Sequence, residues 1–387
     1  MSSFTFTQSI LDLINNNDSS IVLVDENEDI ALYNYNQETV EYENDIVKSV
    51  RGLILDKTSK TIIGATSSFT PELLPNEFDE KILMDEDQYY ANQKCKILHS
   101  HEGCLIRVFS HNGKRYISTH KRLDAHKSVW GSATSFGLLF QDVLLDIFGT
   151  EDKVEEFLAS LAEDKIHTFL LRNTAENRLV CFAPQPDEDK LHYVGSFDKN
   201  HFNLYPSFDD NISSKISTPL FDGNIGNVSD FVENSVDYKQ QQGLIVFFEN
   251  GTVVKVNNSE YLYYKNVVRN NEPSIIFRYI QVRMDRELND SMHRLYPRLS
   301  NEFNLIEKQL FEIANHVLKS YIARFIKKTF SEVSKTQYKI TRELHGWHID
   351  DRDNNRVSIH KIREIIDRQP PQYICALINE YKNKNNN

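Results

Sequence analysis

The chain has 387 residues, 40% of them hydrophobic and 11% aromatic, enough for one large core or two ordinary ones. Its formal net charge of −12 argues against a protein that coats nucleic acid by bulk attraction, so any such contact must be local. Cys95, Cys104, Cys181 and Cys375 form no C-x-x-C pair, which suggests neither a zinc knuckle nor a disulfide framework and fits a reducing compartment. With no basic leader and no run of about 18 apolar residues, a cytoplasmic chain without membrane contact is expected.

From residue 20 to about 270 the signals are mostly those of strands. The stretches "SIVLVDENEDIALYNY", "SVRGLILDKTSKTIIGAT", "GCLIRVFSHNGKRYIST", "HTFLLRNTAENRLVCFA" and "QGLIVFFENGTVVKVN" each predict two strands around a short polar turn. Asn112-Gly113 and Asn250-Gly251 tip two of them, the residues that best accept positive φ in a two-residue hairpin. Helical spacing predicts helices over 124–149 and 153–164, which interrupt the strands rather than alternate with them. The expected class is therefore α+β with an antiparallel sheet.

After about residue 280 the pattern becomes helical. "RLSNEFNLIEKQLFEIANHVLKSYIARFIKKTFSEV" predicts a helix, and "HKIREIIDRQPPQYICALINEYK" one or two more. The expected domains are 1–283, a helical domain 284–380, and a polar disordered tail 381–387. Between His316 and Glu343 stand Lys319, Arg324, Lys327, Lys328, Lys335, Lys339 and Arg342, against only Glu332 and Glu343. With Tyr321, Phe325, Phe330 and Tyr338 interleaved, these cations are candidates for nucleic-acid binding, a solvated amphipathic face being the plainer alternative. "HGWHIDDRDNN" groups His345 and His348 with aspartates, but its H-x-x-H spacing lacks the helical zinc geometry, and a hydrogen-bonded loop without metal is expected.

The ordered series "SVRGLILD", "SHEGCLIRVF", "YISTHKRLDAHKSVWGS", "HTFLLRNTAENRLVCF", "QQGLIVFF" and "TVVKVNNSEYLYYK" resembles the covalent nucleotidyltransferase superfamily of RNA ligases, DNA ligases and mRNA capping enzymes. It is most similar to RNA ligases of the bacteriophage tRNA-repair type, over roughly residues 30–270. A looser likeness is to divergent ligase-like proteins of large DNA viruses. The resemblance implies an antiparallel-sheet nucleotidyltransferase (ATP-grasp-like ligase) domain, with the helical domain after it. Each motif is short, and only their order on successive strands carries the likeness.

The resemblance also exposes departures. Family members attack the α-phosphate of ATP or GTP with a lysine amine and use Mg2+ to hold the product. The position of that lysine is Ser100, which cannot form the phosphoramidate. The acidic position of the next motif matches Leu171, the usual Glu-Gly reads Gln242-Gly243, and the second lysine of the last motif reads Asn257. What the likeness leaves for nucleotide or phosphate binding is Arg51, Glu102, Arg107, Lys121, Lys127, Arg178 and Lys255. His99, His101 and Lys96 are substitute nucleophiles to consider, although strand alternation turns both histidines away from the face of Ser100, and Lys96 lies too far along the strand.

The leading expectation is a catalytically degenerate relative that binds a nucleotide, RNA end or cap without joining anything. It would act as an RNA-associated or partner-recruiting module, with a protein partner for the C-terminal helices also open. Two other readings stay open: an active ATP-dependent RNA ligase with divergent motifs, and a structural protein whose cleft is filled. The cleft should discriminate among the three.

Overall fold

A computed structural model describes residues 3–40, 43–84, 90, 93–129, 134–172, 180–181, 188–199, 204–269, 272, 274–330 and 333–385. The chain divides into two compact units, 1–263 and 264–387. The domain bound expected from the sequence, 283, falls later than this because the helices Ser259–Val268 and Ile275–Val282 precede it.

The first unit holds twelve strands among its described residues: β1 (Ile21–Glu26), β2 (Ile30–Tyr35), β3 (Arg51–Asp56), β4 (Ile62–Gly64), β5 (Glu72–Leu73), β6 (Cys95–Ser100), β7 (Gly103–His111), β8 (Lys114–Ser118), β9 (Lys165–Arg172), β10 (Leu191–Asp198), β11 (Gly243–Phe248) and β12 (Val253–Asn257). They form three four-stranded sheets, ordered β1-β2-β3-β4, β10-β9-β7-β8 and β5-β12-β11-β6. All pairings are antiparallel except β5 with β12. The class is α+β, as the hairpin patterns predict.

The turns follow their residues. His111 pairs with Lys114, so Asn112 (φ 49°) and Gly113 (φ 73°) are the whole β7–β8 loop, both in the positive-φ conformation a tight hairpin requires. At the second Asn-Gly only Gly251 is left-handed, and the turn is longer, with Phe248 N donating to Thr252 O across it at 2.9 Å. "HTFLLRNTAENRLVCFA" supplies β9, but its expected second strand falls largely outside the described residues. The partner of β9 on that edge is β10, where "LHYVGSFD" gives little alternation because most of its residues are buried.

The helix expected over 124–149 is shorter. Asp124 caps a single 3-10 turn, Ala125–Lys127, and the helix proper runs Phe136–Phe148 between a Ser135 cap and a left-handed Gly149. It packs with Glu151–Ala159 on the β9–β7 face, around Phe140, Phe157, Phe169 and Tyr193. Ile30, Leu32 and Ile54 of the first sheet join Phe109, Tyr116 and Ile166 of the second in one core. A third core, around Leu244, Val246 and Val256, lies under the helix Val228–Asn234.

The second unit is entirely helical among its described residues. Its longest helix, Ser300–Tyr321, ends in a π-helical turn, Ile322–Ile326, rather than continuing to 333 as its periodicity predicts. Lys335–Asp350, Ile359–Asp367 and Pro371–Asn385 follow, Pro370 and Pro371 marking the last break. The final helix takes in 381–385, where the polar composition predicts a disordered tail. His345 and His348 lie on Lys335–Asp350 rather than in a loop.

Gly243 begins β11 with φ 151°, and a Cβ there would sit 2.0 Å from the Val256 carbonyl oxygen. Gly113 has open space around it. Gly243→Ala is therefore expected to lower unfolding free energy by about 2–4 kcal/mol, and Gly113→Ala by about 1 kcal/mol. Urea denaturation of both variants checks this, and equal midpoints would contradict it.

Candidate functional site

Ser100 ends β6 and Gln242 immediately precedes β11, and the antiparallel register brings them side by side: Gln242 N donates to Ser100 O at 2.7 Å. Their side chains also meet. Ser100 Oγ donates to Gln242 Oε1 at 2.9 Å, and Lys255 Nζ on β12 donates to the same oxygen at 2.9 Å. The hydroxyl and the amine are thus no more than twice that distance apart. Gln242 Nε2 donates to Tyr261 OH at 2.6 Å, and that phenol donates to Glu102 Oε1 at 2.7 Å. Cys181 N completes the carboxylate at 2.8 Å through Oε2.

This network is closed. Ser100, Glu102, Gln242 and Tyr261 are all buried, Tyr261 to 2% exposure. Burial raises the Glu102 pKa against the opposing pull of the Tyr261 hydroxyl and the backbone donors, and burial beside Glu102 also drives the Tyr261 phenol up. Sequence reasoning placed Ser100, Glu102, Gln242 and Lys255 here but missed Tyr261. Its only signal was a buried aromatic early in the helix Ser259–Val268, spaced like many core tyrosines.

Leu171 packs in the helix-covered core of the second sheet and offers no ligand atom. Asn257 is fully buried, its Nδ2 donating to Glu72 Oε2 at 3.1 Å while its Oδ1 has no partner. With Leu171 and Gln242 uncharged and Glu102 committed to Tyr261 and a backbone N–H, these residues do not fit the Mg2+ that the family resemblance implies. Among the described residues, no group of three His, Cys, Asp or Glu side chains could hold a metal.

The substitute nucleophiles are engaged elsewhere. Lys96 Nζ donates to Pro206 O at 2.6 Å and lies over the Tyr205 ring. His99 Nδ1 pairs with Gln241 Oε1 at 3.0 Å between Phe221 and Phe231. His101 stacks on His192, and burial holds the two imidazoles neutral, with pKa values near 3 and 4 respectively.

A second cluster is built from cations. Arg107 on β7 has no exposed surface, and its guanidinium donates to the carbonyls of Gly52 on β3 and Thr119, the latter at 2.7 Å. Its Nε has no partner, and among the described residues no carboxylate lies within ion-pair distance of it. Burial first, then the charge of Arg51, lowers its pKa to about 9, so it remains charged at neutral pH. Gly52 has φ 65°, and a Cβ there would strike His120 Cδ2 at 2.8 Å and Arg107 Nη1 at 2.9 Å. His120, held neutral by burial and by both arginines, has Nε2 3.2 Å from Thr66 Oγ1 and 3.4 Å from Ser67 Oγ.

Arg51 is half-buried and donates to Thr70 Oγ1 at 3.4 Å. The next residue, Pro71, accepts the backbone N–H of Lys255 at 3.0 Å, so one short segment ties the cation cluster to the Ser100–Gln242 network. Lys121 is exposed beside His120, and Lys127 is 80% exposed, 3.9 Å from Asp124. Neither joins the cluster, and Arg178 lies outside the described residues. In the helical unit Lys319, Arg324, Lys327, Lys328, Lys335, Lys339 and Arg342 are all exposed. His345 instead stacks on Phe325 and pairs with Tyr321 OH, and His348 Nδ1 pairs with Asn355 O at 2.7 Å.

No protein-family model matches the chain. It is 28% identical over 291 residues to the immediate-early protein ICP-46 homolog of Invertebrate iridescent virus 3, covering 74% of this chain and 62% of that protein. The homolog of the same name in Invertebrate iridescent virus 6 is 25% identical over 367 residues, 86% of this chain and 76% of that protein. The chain therefore spans less than two thirds of the first relative's length.

Among solved structures, a putative ATP-dependent DNA ligase from Aquifex aeolicus aligns at 12% identity and TM-score 0.40, over 78% of this chain and 79% of that one. Two forms of an archaeal ATP-dependent RNA ligase align at 13% and 14% identity, with TM-scores 0.40 and 0.42. They cover 75% and 78% of this chain, and 74% and 79% of theirs. Likenesses this distant carry no argument about fold or chemistry.

Tyr261→Phe would leave Gln242 Nε2 and Glu102 Oε1 without their shared partner, an expected loss of about 1–3 kcal/mol. Because the Glu102 pKa is raised in the folded state, its favourable contribution is complete below the ordinary 4.5 and is lost as pH rises through the folded value. Removing the hydroxyl raises that value further, so the deficit measured by urea unfolding should grow from pH 4.5 to 8. A pH-independent deficit would contradict the network.

Proposed function

We propose that the chain recognises a phosphate-bearing ligand, a nucleotide or an RNA end or cap, noncovalently through Arg51, Arg107 and His120, and joins nothing. The observation that supports this is Arg107: a wholly buried guanidinium, still charged, with a second arginine nearby and, among the described residues, no carboxylate within ion-pair distance. Burying a charge without a counter-charge is costly, and an incoming anion would supply the missing partner. A phosphate suits the arrangement, since Arg51 can present a planar fork while His120, Thr66 and Ser67 supply shorter polar contacts.

The covalent half of the family's chemistry lacks its lysine at position 100, and the neighbouring Lys255 amine donates to the Gln242 oxygen. Ser100 holds a hydroxyl bonded to an amide, and the carboxylate of Glu102 is taken up by Tyr261 and Cys181 N. The active-ligase reading needs an amine at position 100 and gains no support. The filled-cleft reading has one observation in its favour, the burial of Ser100, Glu102, Gln242 and Tyr261. That burial closes the covalent centre but leaves Arg51 half-exposed, which is why binding is preferred over a purely structural role. Acting as an RNA-associated or partner-recruiting module of the cytoplasm is the role this binding would serve.

Calorimetric titration with ATP, GTP, a cap analogue and a short 5′-phosphorylated RNA tests the reading. At least one should bind, and Arg51→Ala should weaken it about tenfold or more. Binding untouched by that substitution, or no binding by any of the four, would overturn it, the latter in favour of the structural role.

A further inference from the structure

The charge of the chain is not spread evenly. Residues 264–387 hold 22 Lys and Arg against 15 Asp and Glu, a surplus of seven, so the remainder, with 22 against 41, carries −19. An asymmetry of that size between two compact units is the electrostatic signature of a polyanion partner for the basic one.

The surplus is organised around one turn. Lys335, Tyr338, Lys339 and Arg342 recur at helical spacing along Lys335–Asp350, and all four are exposed. The π-helical turn before that helix adds Arg324, whose guanidinium lies 5.1 Å from the centre of the Tyr338 ring and so belongs to the same face. From the last residue of that turn onward, 326–330 are exposed without interruption, and Phe330 is 92% exposed. A phenylalanine so placed contributes nothing to the core, whose helical partners are Leu310, Val317, Ile340 and Leu344. Among the described residues none of these cations has a carboxylate within ion-pair distance; the lysine over Tyr373 and the arginine over Tyr338 rest on aromatic rings instead.

We propose that this face of the helical unit binds single-stranded nucleic acid, Lys335, Lys339 and Arg342 following the phosphates while Phe330 and Tyr338 stack on unpaired bases. Cations alone would serve a duplex equally well. Large exposed aromatic planes among them are useful only where bases are free to stack. The contacts proposed are to phosphates and base planes, so RNA and DNA strands are expected to bind alike. The surface lies in a different unit from the Arg51 cluster.

Fluorescence anisotropy of the full chain with a labelled strand of about 20 nucleotides, as RNA, as DNA and as the DNA duplex, tests the proposal. Both single strands should bind more tightly than the duplex. Phe330→Ala, at a position too exposed to disturb folding, should weaken them about 5- to 150-fold while leaving duplex affinity unchanged. The triple change Lys335→Ala, Lys339→Ala, Arg342→Ala should reduce the slope of log affinity against log salt by about 2. Equal affinity for strand and duplex, an unaffected Phe330→Ala variant, or an unchanged salt slope would each overturn it.

Discussion

Arg107 is the constraint around which the first unit is arranged. Its guanidinium crosses from the second sheet to the Gly52 carbonyl of the first and also holds Thr119, joining two sheets whose apolar faces share one core. A buried positive charge satisfied by carbonyl dipoles alone is an expensive way to fasten two sheets, since an apolar side chain would do it without desolvating an ion. The expense makes sense if the charge is needed. Gly52 must lack a side chain for His120 and Arg107 to approach it, so backbone and cation are built to the same specification.

A few residues away the opposite has happened. Ser100 on β6 and Gln242 beside β11 are both uncharged. A charge at either position alone would be buried and unpaired. Serine and glutamine together form a neutral pair that hydrogen-bonds across β6 and β11, and Tyr261 extends it to Glu102. The result is a closed polar network. An uncompensated buried cation and a neutral, hydrogen-bonded pair thus stand in the same unit, and the proposal of recognition without transfer rests on that arrangement.

Much of this was legible in the sequence because hairpins advertise themselves. Asn112-Gly113 marks the β7–β8 hairpin and Asn250-Gly251 the β11–β12 hairpin, and the second of these, with β6 alongside, brings Ser100, Gln242 and Lys255 together. What escaped was whatever periodicity does not encode. β10 is buried on both faces and so has no alternation, and the helix Phe136–Phe148 begins at Ser135 because a serine cap, not an apolar repeat, fixes its start. Tyr261 and His120 escaped for another reason. Their roles depend on partners 159 and 54 residues away, Glu102 and Thr66, and no local pattern announces such a pairing.

Recognition without transfer is tested most directly by the intact mass of the purified chain after incubation with ATP or GTP and Mg2+ or Mn2+. The mass should be unchanged, with the protein folded and nucleotide bound reversibly. A gain of one nucleoside monophosphate would contradict the account, since an amine would then be reaching the α-phosphate despite the serine at position 100.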